Sequence, residues 1–477
     1  MTRPLYRPSF IAAAFAWLVL VAVSTMPAAY AADTPKIVQT ATAQGARLLF
    51  LQANEIPIVD LAIEIDAGTR WDPLGKEGLA SMTAAMAFRG LRAQAGRPAV
   101  DETGLGEVWA DLALDRSASA GQDRTSLRFR FLSDPTVRGP ATSWVGRVLA
   151  DPAFEEETLK RELGRATAGL RDALSRPQTL ATRALWQAMY PGHPYGRSET
   201  IESLAAISAQ DLRDFHRQFW RPERVTIVIV GNLTQAEAQQ MAEAVLSPLA
   251  QGSAANPSQG PGPGPGPTAA APTSAMPSVL PAVRVPTDSS RINIAHPASQ
   301  SHIWMGIPIL ARHEQGEFFA LMVANHVLGG GGFTSRLTQE VREKRGLSYS
   351  VFSAVSPLAQ TGPFFLGLQT QRERADEALA VVRETLEAFV RDGPTDEELE
   401  AAKKNLLGGF ALRLDSNRKL LDTLAQIGFY RLPMNYLDRW TDAVSLVTKE
   451  EIRTLLRQRL DLNRLATVVV AGGAPPQ

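Results

Sequence analysis

The sequence predicts an α+β protein made of two homologous αβ halves, each a mainly antiparallel sheet with helices on one face. Two observations carry this. First, the chain repeats itself at a constant offset of 240 positions: Asp211-Leu-Arg-Asp-Phe…Arg217-Gln lies on Glu451-Ile-Arg-Thr-Leu…Arg457-Gln, Val225–Val230 lies on Leu465–Val470, and Leu79-Ala-Ser-Met lies on Phe319-Ala-Leu-Met. One register holding over three separated segments is the mark of a duplication. Second, residues 251–282 are almost wholly Gly, Pro, Ser and Ala, with GPGPGPGP from Gly260 to Pro267. Such a stretch cannot bury enough apolar surface to fold and reads as an extended linker. It divides residues 40–250 from residues 283–477.

At the N-terminus, Arg3 and Arg7 precede an apolar run from Phe10 to Val23, and Ala29-Tyr30-Ala31 fits a small-x-small cleavage site. The run is short for a bilayer span, so residues 1–31 read as a signal peptide and the mature chain as periplasmic, without stable membrane insertion. The leader removes two of the 49 basic residues, leaving 47 against 49 acidic ones. A net charge near zero argues against nucleic acid as a partner. The absence of cysteine excludes disulfides, thiolate chemistry and Cys-ligated zinc.

Along the first half, Ile58–Ile65 alternates apolar and polar residues with β-branching and reads as a strand. Glu77–Gly90, EGLASMTAAMAFRG, has Leu79, Met82, Ala85 and Met86 at helical spacing between two glycines, and predicts a helix. Ser117–Leu132 reads as a hairpin. Phe154–Leu174 reads as an amphipathic helix stopped before Pro177, and about Thr179–Met189 as a second. Tyr190–Gly196, YPGHPYG, reads as a rigid loop, Ser208 as the cap of a helix ending at Phe219, and Val225–Val230 as a buried strand. In the second half a helix is expected over Phe318–Leu328, followed by Gly329–Gly332 as a mobile loop or, equally, a helix-terminating turn. Gly346 is expected to end a helix, with Arg342 in its last turn and Tyr349 starting a strand.

Several blocks resemble the pitrilysin or insulinase-type zinc peptidases, the inverzincins. They are Gly78…Met86-x-Phe88-Arg89-Gly90, His193-Pro-Tyr-Gly, Phe219-Trp-Arg-Pro…Val-Gly231, and Gly329-Gly-Gly-Gly-Phe-Thr-Ser-Arg-Leu337…Val341-Arg-Glu-Lys-Arg-Gly-Leu-Ser-Tyr349. The resemblance implies two halves of the mitochondrial-processing-peptidase type, closing as a clamshell around an extended peptide. In that family the first helix carries H-x-x-E-H and a later helix a glutamate. The matching positions here are Ser81, Ala84 and Ala85, and, counting back from Pro177, Gly169. None of the four can supply imidazole or carboxylate to zinc. His193 is the first histidine of the chain, which excludes a shifted motif.

The second half keeps the family's other equipment. The resemblance assigns Arg342 and Tyr349 to gripping the substrate carbonyl, and extends substrate contact to Gly330, Gly331 and Phe333. Without it, Arg342 could equally complement a helix C-terminus and Tyr349 be an ordinary strand residue. The expectation is a non-catalytic, substrate-binding subunit with no cofactor of its own, paired with a homologous zinc-bearing chain to form a metalloendopeptidase acting on peptides. The alternative is a stand-alone peptide-binding or scaffolding protein.

Overall fold

A computed structural model describes residues 36–94, 96–255 and 279–471. The expected signal peptide, and residues 256–278 of the expected linker, lie outside the described residues. The first half contains strands β1 (Val38–Ala41), β2 (Arg47–Gln52), β3 (Ile58–Ile65), β4 (Asp115–Ala120), β5 (Thr125–Leu132) and β6 (Val225–Gly231). Its helices are α1 (Leu79–Met86), α2 (Glu102–Asp111), α3 (Pro135–Ala150), α4 (Glu156–Leu174), α5 (Pro177–Met189), α6 (Ile201–Ala205), α7 (Ala209–Phe219) and α8 (Gln235–Ala255). Helix α8 thus runs on into the segment read as linker.

The second half contributes β7 (Ser290–Ala295), β8 (Gln300–Leu310), β9 (Val351–Val355), β10 (Gly362–Gln371) and β11 (Ala466–Ala471). Its α-helices are α9 (Gln315–Asn325), α10 (Ala375–Asp392), α11 (Asp396–Gly408), α12 (Asn417–Phe429), α13 (Tyr436–Leu446) and α14 (Lys449–Arg459). The sheets have orders β1-β2-β6-β3-β5-β4 and β7-β11-β8-β10-β9, so apart from β1 they superpose strand for strand. Helices α3 and α10, α4 and α11, α5 and α12, and α7 and α14 each start 240 positions apart. The duplication therefore extends to topology. Each sheet also holds one parallel pair, β2 with β6 and β7 with β11, at equivalent places.

Each half has its own core between one sheet face and its helices. The other face is covered too, by a helix from the opposite half. Helix α12 lays Leu420, Leu421, Leu424 and Ile427 on Leu49, Ala62, Val228 and Val230 of the first sheet. Helix α5 lays Ala181, Leu185 and Met189 on Trp304, Ala466, Val468 and Val470 of the second. The expected one-sided helix layer is thus two-sided. This explains why β6, VTIVIVG, is buried at every position: a strand covered on both faces reads as a continuous apolar run. Gly428 lets α12 approach closely, since a Cβ there would lie 2.7 Å from Thr226 Cγ2.

The polar positions of β3 also face protein. Asp60 pairs with Arg130 at 2.8 Å. Fully buried Glu64 pairs with Arg124 at 3.0 Å and Arg128 at 3.1 Å, and Arg128 reaches across to Asp422 on α12 at 3.1 Å. Buried carboxylates survive only with such partners.

Candidate functional site

Helix α1 starts from Gly78 in a left-handed conformation (φ +104°). Its first turn is capped from a distance: the buried Asp72 carboxylate accepts 2.8 Å hydrogen bonds from the Gly78 and Ala80 N–H groups. Burial raises the Asp72 carboxyl to about 7 against the pull of these donors. Leu79, Ala80, Met82 and Met86 enter the first core. Ser81 and Ala85, one turn apart, are exposed, whereas Ala84 is 1 % exposed and faces inward. On α4, Gly169 is exposed and no atom of the described residues lies within 4 Å of where its Cβ would stand.

These four positions offer one hydroxyl between them, which does not fit zinc, a metal that takes imidazole, thiolate or carboxylate ligands. Among the described residues no group of three or more His, Asp or Glu side chains could hold a metal ion.

The residues that frame these four positions have structural work. Phe88 meets Phe129 edge to face at 5.7 Å. Arg89 bridges Glu102 and the buried Glu162, which also holds Arg165 at 2.7 Å. His193 accepts from the Tyr195 N–H at 3.1 Å and donates to Pro281 O at 3.1 Å. Tyr195 in turn donates to Asp123 at 2.5 Å. The frame persists around α1 because it builds the half, whether or not a metal is held.

In the second half, the structure corrects the expectation of a mobile glycine loop. Helix α9 passes into a wider π-type turn over His326–Gly330. Gly329 is buried there against β9, where a Cβ would stand 2.5 Å from Ser353 Oγ and 2.6 Å from Ser353 N. At Gly330 and Gly331 a Cβ would press on Asn325 Nδ2 and His326 O, both at 2.6 Å. The glycines are a packing requirement of a continued helix. Only Gly332, at φ +65°, breaks it.

A second π-type segment, Thr338–Glu343, carries Arg342 in its last turn, and Gly346 (φ +58°) closes the turn after it. The strand expected at Tyr349 begins two residues later, at Val351. Arg342 stacks over Phe333, guanidinium carbon 4.9 Å from the ring centre. Glu340 occupies the neighbouring cations, Lys344 and Arg345, both at 2.6 Å. Arg342 meets only the adjacent Glu343, at 3.4 Å, among the described residues. Phe333 is 69 % and Tyr349 87 % exposed. Arg342 and Phe333 therefore form one unit, and Tyr349 stands free beside the start of β9. A guanidinium fork held by an aromatic face, with few internal partners, can grip an anionic or carbonyl oxygen.

Two features of this chemistry gave no signal in the sequence. One is Asp123 at the tip of the β4–β5 hairpin, which accepts from Arg70 at 2.6 Å, Tyr195 at 2.5 Å, Tyr430 at 2.9 Å and the Ala359 N–H at 2.8 Å. The other is an arginine-lined cavity between Arg47 and Arg312.

Residues 206–406 match the family described as "Peptidase M16 inactive domain". The chain is similar to the crystal structure of a peptidase M16 inactive domain from Pseudomonas fluorescens, with 28% identity and a TM-score of 0.80 over 92% of this chain and 99% of that one. It is 27% identical over 325 residues to an uncharacterized zinc protease of Mycobacterium leprae, a match spanning 66% of each chain. It is 22% identical over 371 residues to a protein of Helicobacter pylori named non-peptidase homolog YmxG, covering 77% of this chain and 80% of that one.

Proposed function

The chain belongs to the pitrilysin-type family of zinc peptidases and their inactive homologues, and from that premise we propose that it is the non-catalytic, substrate-binding subunit of a heteromeric zinc metallopeptidase of the periplasm. One contrast carries the reading. Helix α1 keeps its frame but turns Ser81 and Ala85 outward where the resemblance puts histidines, while Arg342, stacked on exposed Phe333, stays nearly free of internal partners. A chain that has lost the metal donors but kept the oxygen-gripping groups suits a partner that supplies the metal.

In such a complex the chemistry divides between two chains. The partner's zinc would activate water. In this chain Arg342 and Tyr349 would hold the peptide's scissile-region carbonyl, with Phe333 fixing the arginine and lining the bed for a neighbouring side chain. The leader-like N-terminus supports the location.

The test is reconstitution. The purified chain is assayed for peptide cleavage alone, then with a co-expressed homologue bearing H-x-x-E-H. The expected result is cleavage only by the mixture, and co-elution of the two chains. A homologue that is fully active by itself and never associates with this chain sinks the proposal. Peptide affinity of the isolated chain without any partner would favour the stand-alone binding protein.

A further inference from the structure

A cavity of about 730 Å³ opens where the two halves meet, away from Ser81, Gly169, Arg342 and Tyr349. Its volume lies within the range of small-molecule sites. Five arginines line it: Arg47, Arg70, Arg224, Arg312 and Arg431. Among the described residues the only carboxylates in the lining are Asp66 and Glu223, and both are committed. Asp66 holds Arg70 at 2.8 Å and Arg224 at 2.9 Å, and Glu223 is held at 2.7 Å by Arg221, which is not part of the lining.

That leaves Arg47, Arg312 and Arg431 with no carboxylate partner among the described residues. Arg47 gives one N–H to Gly428 O at 3.0 Å. Arg312 is 5 % exposed, stacks over Phe318 at 4.1 Å and donates to the Tyr436 hydroxyl at 3.1 Å. Its Nη1 finds no acceptor among the described residues. A buried guanidinium without a counter-charge is costly, and two further unpaired arginines on the same cavity add mutual repulsion. Burial and then the neighbouring Arg431 push the proton affinity of Arg47 down. Nothing in the peptide-gripping role uses these residues.

We propose that this cavity is a binding site for a compact oxyanion of two or more negative charges, held by Arg47, Arg312 and Arg431 and therefore contacting both halves at once. Guanidinium groups pair with phosphate and carboxylate oxygens in the same two-pronged geometry, so a phosphate-type or a polycarboxylate ligand satisfies the site equally.

The test is calorimetric titration of the mature chain with pyrophosphate, with inorganic phosphate and with citrate, at low salt. One saturable site is expected, weakened about tenfold by Arg431→Gln, the loss of roughly one charge-assisted contact. Arg431 is exposed, so its replacement leaves the fold intact. Arg47→Gln should act in the same direction, and Arg391→Gln, an exposed arginine outside the cavity, should not. Tighter binding of pyrophosphate assigns a phosphate-bearing ligand, and tighter binding of citrate a polycarboxylate. Absence of saturable binding by all three anions, or binding insensitive to Arg431→Gln and Arg47→Gln, overturns the proposal.

Discussion

The Tyr430 hydroxyl, at the end of α12 in the second half, donates a 2.9 Å hydrogen bond to Asp123 at the β4–β5 tip of the first. Asp123 is 2 % exposed and also receives Arg70, Tyr195 and the Ala359 N–H. Two of its four donors thus come from each half. Burial and then the Asp123 charge raise the Tyr430 hydroxyl well above its usual value, against the lowering pull of Arg124 and Arg70, so it stays a donor throughout the accessible pH range.

Replacing this carboxylate should loosen both halves at once. In Asp123→Asn the amide keeps a single acceptor oxygen and turns its NH2 toward one donor pair, either Arg70 and Tyr195 or the Ala359 N–H and Tyr430. Because Arg70 keeps Asp66, the expected cost is about 3 kcal/mol, the low end for breaking a buried charged pair. Urea denaturation measures it. A loss below about 0.5 kcal/mol, the scatter of ordinary surface changes, would mean that the carboxylate does not tie the halves.

Two glycines should respond in opposite directions. Gly329→Ala drives a methyl into the β9 backbone at Ser353 and should destabilise by about 1–3 kcal/mol. Gly169→Ala meets open space on a helix and should stabilise by about 0.5–1 kcal/mol. Equal effects on the denaturation midpoint would contradict the packed reading of the Gly329 turn.

Stability should fall in acid partly through His216. Its imidazole donates from Nε2 to Leu149 O at 2.7 Å, and burial lowers its pKa to about 4. The unfolded chain takes up this proton near 6.5 while the fold resists it, so the contribution is complete above 6.5 and is lost as pH falls toward 4. Part of the residue reaches solvent, and the expected loss is about 2 kcal/mol. His216→Gln, which keeps a donor but cannot titrate, should flatten the profile over that window. An unchanged slope would assign the acid sensitivity elsewhere.

For the proposed role, Arg342→Ala should leave folding within about 0.5 kcal/mol, as for other partly exposed side chains. In the reconstituted complex it should lower kcat/KM about 100-fold, the scale of removing one oxyanion donor. Tyr349→Phe should act in the same sense through its lost hydroxyl. Full activity of both variants would return Arg342 to a purely local role beside Phe333.

Much of the architecture was legible because it rests on local pattern. Ile58–Ile65 alternates, Ser208 caps α7, the helix before Pro177 ends at Leu174, and each is found where its chemistry calls for it. The chemistry of Ser81, Ala84, Ala85 and Gly169 was legible as well, since none carries an imidazole or carboxylate in any conformation. Gly329–Gly332 misled because four glycines look like freedom, and the sequence does not show the Ser353 backbone that excludes a Cβ.

By itself, the sequence determined the duplication, the order of the elements and the absence of imidazole and carboxylate at Ser81, Ala84, Ala85 and Gly169, because repeat, periodicity and side-chain chemistry are properties of the chain alone. The tertiary structure decided what depends on partners far apart in sequence. It laid α5 and α12 each on the opposite half's sheet, gathered four donors around Asp123, left Arg342 on Phe333 nearly free of acids, and brought Arg47 to the same cavity as Arg312 and Arg431. Burial and charge balance at such places are sums over neighbours that only the folded chain brings together.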